Sequence, residues 1–312
     1  MSAYLGIDTS NYTTSAAVYD AASGEVHHVK RLLTVKQGER GLRQSDALFQ
    51  HTRALPSLLD QVCAIAPPPY GAVGVSARPR DVEGSYMPCF WAGVSAASAA
   101  AQAAGIACYS FSHQCGHIAA ALYSSGRLDL VGHEFLAFHV SGGTTEALLV
   151  TPSTEHILGC RIVGNTLDLN AGQVVDRVGV MLGLSFPCGA QLEQLALHSE
   201  REYRIKPSVR AHDCSLSGVE NKCRTMLEKG DAPADIARFC LDSVCAAIDY
   251  MAGKLLTEYG VHEVVFSGGV MSNGLIRAAL TAKYPAYFAA PEFSCDNAAG
   301  IAVLTALKSE CR

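Results

Sequence analysis

The sequence has twelve cysteines, yet no two of them form a C-x-x-C pair. This absence argues against zinc ribbons and thioredoxin-like redox motifs, which depend on such pairs. Many of the cysteines lie in apolar runs, where a thiol behaves as a small hydrophobic side chain. We therefore expect reduced cysteines and a cytoplasmic location.

Positive charge is also scarce. The chain has 24 Lys and Arg against 29 Asp and Glu, which gives a formal net charge of −5. Such a protein has no global basic field that would attract nucleic acid. A nucleic-acid partner would therefore require a local basic patch or a helper protein.

Membrane and export signals are weak or missing. The first residues show no charged stretch followed by an apolar one, so no signal peptide is visible. Residues 90–111 carry no charge, but Ala, Ser and Gly make up most of this segment. That composition favours a close-packed buried helix over a membrane span. We expect no membrane partner.

The 312 residues suffice for one large domain or, as we expect, two of about 150 residues each. No low-complexity linker separates the halves. The patterns predict an initial hairpin with its turn at "AASGE", and a helix over residues 44–64 with a kink or break at Pro56. They also predict a closing helix capped by Asp296 or Asn297.

Three turns rich in small polar residues each follow an apolar strand: "GIDTSNYTTS" (6–15), "VSGGTTE" (140–146) and "FSGGVMSN" (266–273). Glycine lets backbone N–H groups approach an anion, and Ser and Thr add hydroxyl donors. The first two turns occupy equivalent places in the two halves, which predicts a nucleotide held between related lobes. Three unrelated hairpin turns are the alternative.

The segment "HQCGH" places His113 and His117 four residues apart. On a helix these two side chains share one face and could bind one metal ion. A zinc-protease helix would have a Glu after the first His, where this chain has Gln114. Two ordinary helical histidines remain the alternative at this point.

Eight motifs occur in an order that resembles one family. From residue 4 to about 306 the chain reads "GIDTS", "HQCGH", "VSGGTT", "DLNAGQVVDR", "FPCG", "LSGVE", "GGVMSN" and "CDNAA". They match, in order, the motifs of the TsaD family, formerly called the glycoprotease family. The resemblance implies an α/β fold of the actin-like ATPase (ASKHA, ribonuclease H-like) superfold, with two related lobes of mixed sheets flanked by helices. The implied lobes are residues 1–117 with about 290–312, and about 118–289, with nucleotide and metal in the cleft between them.

The resemblance also implies a function. Family members are tRNA threonylcarbamoyladenosine transferases, which move threonylcarbamoyl from its adenylate to N6 of the adenosine next to the anticodon. The implied cofactors are a divalent metal, with iron or zinc typical and magnesium a further candidate, and ATP, ADP or threonylcarbamoyl-adenylate. The implied partners are tRNA, reached through helper proteins, and a shorter actin-like homologue in a heterodimer, or a second copy in a homodimer.

Residue by residue, the resemblance implies two sets of site residues. The metal ligands are matched by His113, His117 and Asp296. The nucleotide-binding residues are matched by the phosphate loop 139–143 (His139, Val140, Ser141, Gly142 and Gly143), by Asp176 and Gly189 at the ribose, and by Asn273 on the adenine side. No catalytic residue is implied for the chemical step.

One departure from the family favours metal binding. Many relatives place Tyr or Leu just before V-S-G-G, whereas this chain has His139. Imidazole is a better ligand than phenol for iron or zinc. We therefore hypothesise a site of His113, His117, His139 and Asp296, with a strand histidine bonded within the core as the alternative.

Other departures argue against full activity. Cys115 and Gln173 replace family Glu residues, Leu169 replaces an Asp, and Glu220 replaces a Lys. Asn11, Tyr12 and Thr13 replace the acidic and Cys residues that usually follow the first motif. A side chain such as Leu cannot make the hydrogen bonds of the carboxylate that it replaces.

Two hypotheses follow for the function. The first is the tRNA transferase, a metal-dependent acyl (carbamoyl) transferase. The second is a diverged bacterial paralogue that binds nucleotide and metal without modifying tRNA. A metalloprotease is disfavoured because the H-E-x-x-H base is missing.

Overall fold

A computed structural model describes residues 2–10, 12–35, 42–294 and 298–311. Over these residues the strands are β1 (Ala3–Thr9), β2 (Thr13–Asp20), β3 (Glu25–Leu32), β4 (Ala72–Arg78), β5 (Ala107–Ser112), β6 (Phe135–Val140), β7 (Thr145–Ser153), β8 (Ile157–Asn165), β9 (Ser208–Arg210), β10 (Asp213–Ser215), β11 (Val264–Ser267) and β12 (Ala286–Phe288). The helices are α1 (Gln44–Ile65), α2 (Phe90–Ala104), α3 (His113–Ser124), α4 (Ala171–Met181), α5 (Gly189–Ala196), α6 (Ser217–Glu228), α7 (Pro233–Tyr259), α8 (Gly274–Thr281) and α9 (Ala298–Glu310).

The chain divides into two compact units. The first contains residues 1–132, 151–160 and 292–312, and the second contains 133–150 and 161–291. The first unit therefore extends past the sequence-based boundary at residue 117, since α3 is one continuous helix that packs on α9. The assignment of lobes around a nucleotide stays a prediction.

The two five-stranded sheets repeat one topology, as the sequence predicts. The first has the order β3-β2-β1-β4-β5, and the second has β8-β7-β6-β11-β12. In the first sheet β1 is antiparallel to β2 and parallel to β4; in the second, β6 is antiparallel to β7 and parallel to β11. Each sheet is therefore mixed, and helices pack against both.

Helix α9 is apolar around its circumference because it lies in the core of the first unit. All nine residues from 298 to 306 are buried, and the helix contacts α3, β1 and β4. Such a helix needs no polar face. The predicted cap residues Asp296 and Asn297 lie outside the described residues.

Two further expectations can be compared with the structure. Helix α1 is continuous through Pro56, so of the predicted kink or break the break does not occur. Its buried stripe, which includes His51, Leu55 and Leu58, packs against the sheet and holds both halves of the helix in place. None of the described helices combines the length and apolar character needed to cross a membrane.

The approach of α9 to α3 generates a stability prediction. A Cβ at Gly300 would lie 1.9 Å from the carbonyl oxygen of Gly116, a backbone atom that cannot rotate away. We expect Gly300→Ala to lower the free energy of unfolding by about 3 kcal/mol through overpacking. Gly132→Ala is the control, because its Cβ would meet nothing within 4 Å. Urea unfolding measures the free energy of unfolding of both variants. An equal decrease in the two would contradict the close packing of α9 on α3.

Candidate functional site

A cavity of about 370 Å³ lies in the second unit, next to the ends of β6 and β11. Its volume suits a small-molecule ligand. We call it the glycine-rich cavity. It is lined by Gly142, Gly172, Val175, Asp176, Pro187, Gly189, Ala190, Glu193, Leu241, Gly269, Val270, Ser272 and Asn273.

The turn after β6 is held by its own hydrogen bonds. The Ser141 amide donates to the Thr144 carbonyl at 2.7 Å, and the Ser141 hydroxyl accepts from the Gly143 and Thr144 amides at 3.2 and 3.1 Å. The Gly172 amide, in the first turn of α4, donates to the Ser141 carbonyl at 3.1 Å. The positive end of α4 therefore lies against this turn, an arrangement that favours an anion.

The turn after β11 approaches β6 closely because the two strands are parallel. Ser267 pairs with His139 in the register, and the next residue, Gly268, has φ +93°. A Cβ at Gly268 would lie 2.3 Å from the Val140 carbonyl oxygen. Only glycine fits this backbone, which brings both turns to the same edge of the sheet.

Hydrogen bonds from backbone amides to side-chain oxygens connect the other segments that line the cavity. The Asp176 carboxylate on α4 accepts from the Cys188 amide just before α5 at 2.8 Å. The Asn273 side chain caps α8 by accepting from the Ile276 amide at 3.1 Å. The Glu193 carboxylate accepts from the Gly274 amide at 2.7 Å. Three helix starts therefore surround the cavity.

The structure brings Gly142, Asp176, Gly189 and Asn273 together in this cavity. His139 lies on β6 with its Nδ1 atom 3.0 Å from the Ser267 hydroxyl. Sequence reasoning missed Gly172 and Glu193 as wall residues. Gly172 can be predicted from the sequence, because it lies in the motif "DLNAGQVVDR", which also supplies Asp176.

The predicted metal histidines belong to the first unit and lie on α3. Ser112 caps this helix by accepting from the Cys115 amide at 3.2 Å. The rings of His113 and His117 have centroids 4.7 Å apart, and the His113 Nδ1 atom lies 3.0 Å from a carboxylate oxygen of Asp8. A carboxylate that orients a ligating histidine is typical of metal sites.

The buried Asp8 stays ionised beside this histidine. Burial raises the pKa of Asp8, but the attraction of His113 and hydrogen bonds from His113, Ser76 and Ser10 outweigh it and keep the pKa below its ordinary value. Sequence reasoning did not single out Asp8, although it ends the first apolar strand at a polar turn.

The two imidazoles of α3 are ligand types that iron or zinc accepts, but they supply only two of the donors that such an ion needs. Among the described residues, no three His, Cys, Asp or Glu side chains gather as a metal-binding group. Asp296 lies outside the described residues, so the site of His113, His117, His139 and Asp296 stays a prediction.

Known proteins resemble this chain over nearly its whole length. The sequence model of the family described as TsaD, tRNA N6-adenosine threonylcarbamoyltransferase, matches residues 15–303. The chain belongs to the TsaD family. A relative from Aromatoleum aromaticum with the same description is 29% identical over 98% of this chain and 91% of its own length, and one from Ralstonia pickettii is 27% identical over 97% and 90%.

The solved structures agree on the fold. Component A of (R)-2-hydroxyglutaryl-CoA dehydratase from Acidaminococcus fermentans superposes with a TM-score of 0.57 over 99% of this chain and all of that chain, at 17% identity. This TsaD-family chain therefore has the actin-like ATPase fold that its motifs predict.

Two of the side chains that differ from the TsaD motifs form polar contacts with neighbouring residues. Glu220 pairs with Arg177 at 3.1 Å and with Arg224 at 3.0 Å, so its negative charge is balanced. Gln173 accepts from the Asn170 amide at 3.2 Å and completes the capping box of α4, a task that Gln and Glu perform equally.

Cys115, a third departure, is a buried thiol rather than a nucleophile. It lies 3.5 Å from the Cys160 sulfur and 3.1 Å from an Asp81 carboxylate oxygen. The hydrogen bond with Cys160 and burial raise the pKa of Cys115 well above its ordinary value. The thiolate needed for reaction is therefore suppressed.

The turn after β11 generates a prediction with a neighbouring control. We expect Gly268→Ala to lower the free energy of unfolding by about 3 kcal/mol, because φ +93° is strained for alanine and the Cβ meets a backbone oxygen. Gly269→Ala should change it by less than about 1 kcal/mol, since a Cβ there meets nothing within 4 Å. Chemical denaturation measures the free energy of unfolding of both variants. A similar decrease in the two would contradict this turn geometry.

Proposed function

We propose that this chain transfers the threonylcarbamoyl group of threonylcarbamoyl-adenylate to N6 of the adenosine next to the anticodon of a tRNA. One observation supports this most strongly. Gly142, Asp176, Gly189 and Asn273 come from separate motifs matched to nucleotide binding, and all four line one cavity. The family description names a transfer of threonylcarbamoyl to N6 of a tRNA adenosine.

The cavity residues suit a nucleotide by their chemistry. The small turn at Gly142 and the positive dipole end of α4, whose Ala171 and Gly172 amides are bonded within the protein, favour the negative charge of a phosphate. The Asp176 carboxylate is an acceptor for ribose hydroxyls, and the Asn273 amide is a polar group for the adenine side. These residues bind and orient the adenylate, so that its reactive carbonyl is presented in a fixed position.

A divalent metal would be held by His113, His117 and Asp296. When bound, it would polarise the carbonyl that the adenosine amine attacks. Asp8 fixes the orientation of the His113 ring through the contact at 3.0 Å. Its ionised state also favours positive charge beside α3.

A nucleotide- and metal-binding paralogue without tRNA modification is the alternative. It rests on the replaced family residues. The ion pairs of Glu220 and the capping role of Gln173 weaken it, because both replacements keep a local structural partner. We therefore favour the transferase.

The direct test is transfer in vitro. Wild-type protein, the partner proteins of a related transferase, divalent metal, threonylcarbamoyl-adenylate and unmodified tRNA should yield modified adenosine, measured by mass spectrometry of nucleosides. Asp176→Ala should lower turnover about tenfold or more, through loss of hydrogen bonds to the nucleotide.

Glu200→Ala serves as the control, because Glu200 is an exposed carboxylate of the same unit that does not line the cavity. It should leave turnover unchanged. No wild-type product would contradict the transferase, and retained nucleotide binding would then support the paralogue.

A further inference from the structure

A second cavity in the second unit has an unusual charge balance. Its volume is about 330 Å³, and it lies between the segment before β9, the start of α6 and the side of α7. Its lining contains three cations and no carboxylate: Arg204, Ile205, Lys206, Pro207, Ser208, Ser215, Leu216, Gly218, Val219, Lys222, Phe239, Ser243 and Ala247. We call it the basic cavity. It shares no residue with the glycine-rich cavity.

The cations come from two separate parts of the chain. Arg204 and Lys206 lie two residues apart on the segment before β9, and both line the cavity. Lys222 approaches from α6, and its ammonium lies 4.9 Å from the centre of the Phe239 ring. The fold therefore gathers positive charge that is dispersed in the sequence.

These cations are available to a ligand. All three side chains are exposed, and none of them forms an ion pair with another described residue. The neighbouring Arg201, by contrast, is neutralised by Asp231 and Asp235. Like charges gathered without a counter-ion favour binding of an anion.

The floor of the cavity adds neutral groups suited to a sugar-phosphate. Leu216, Phe239 and Ala247 are buried apolar residues, and Ser208, Ser215 and Ser243 supply hydroxyls. The start of α6 is not needed as an anion site, because Asp168 already accepts from the Leu216 and Ser217 amides at 2.7 and 3.3 Å. The attraction of an anion therefore comes from the three cationic side chains.

We propose that the basic cavity binds a backbone phosphate of RNA, with Arg204, Lys206 and Lys222 as its contacts. This inference rests on the proposed function, in which tRNA is the acceptor. A polymer fits better than a small anion, since residues 203–212 carry three exposed cations, Arg204, Lys206 and Arg210, without a single Asp or Glu. In a chain of net charge −5, this is the local patch that an RNA partner requires.

Phosphate contacts position an RNA without reading its sequence. The basic cavity would therefore hold the tRNA body while the adenosine reaches the transfer site. It would also make binding strongly dependent on salt, because each phosphate contact releases counterions.

The test is binding of fluorescently labelled, unmodified tRNA to the full chain, by anisotropy over a range of salt concentrations. We expect the combined variant Arg204→Gln, Lys206→Gln, Lys222→Gln to bind about tenfold or more weakly at moderate salt. The slope of log affinity against log salt should become shallower by about one, because the three cations contact one phosphate. Lys229→Gln, at the far end of α6, should leave both values unchanged.

The outcomes separate this inference from the proposed function. If wild-type protein binds tRNA and the combined variant binds equally well, the basic cavity is not the RNA contact, and the transferase proposal stands. If inorganic pyrophosphate binds the cavity but tRNA does not, the site is for a small anion, and the RNA inference is wrong. If binding responds as expected but wild-type protein forms no modified adenosine, the inference holds and the transferase proposal fails.

Unfolding is checked in parallel. The three side chains are exposed, so the combined variant should keep the thermal unfolding temperature of the wild type and its affinity for ATP. Equal loss of tRNA and ATP binding would indicate a general structural defect and would overturn the assignment of these cations to RNA.

Discussion

The parallel pairing of β6 with β11 is the constraint on which the candidate site depends. It places the ends of two strands at the same edge of one sheet, where Gly268 passes the Val140 carbonyl too closely for any side chain. The turns that follow can then face one space, and α4, α5 and α8 begin around it. Backbone donors and helix ends, rather than charged side chains, supply most of this environment.

In the first unit, other interactions position the predicted metal histidines. There, a helix cap at Ser112 sets the start of α3, and the buried Asp8 orients His113. The same strand that carries Asp8 is crossed at close range by α9, since a Cβ at Gly6 would lie 2.4 Å from the Ala298 carbonyl. The helical spacing of α3 therefore brings the two predicted metal histidines together, and a single buried carboxylate orients one of them.

Much of this architecture can be predicted from the sequence, because motif order and strand-turn patterns are local. The resemblance to the TsaD motifs predicts Gly142, Asp176, Gly189 and Asn273 as one set, and two similar strand-turn segments predict the duplicated sheet topology. Features that depend on distant partners were not foreseen. The balance of Glu220 by two arginines and the gathering of Arg204 with Lys222 exist only after folding. The helix through Pro56 likewise reflects tertiary packing that overrides a local breaking signal.

We propose that the glycine-rich cavity binds the nucleotide. A crystal structure of the full chain grown with ADP tests it most directly. We expect ADP density in this cavity, with phosphates at the turn near Gly142, the ribose at Asp176 and the adenine towards Asn273. An empty cavity at saturating ADP, or ADP bound elsewhere in the protein, would contradict it.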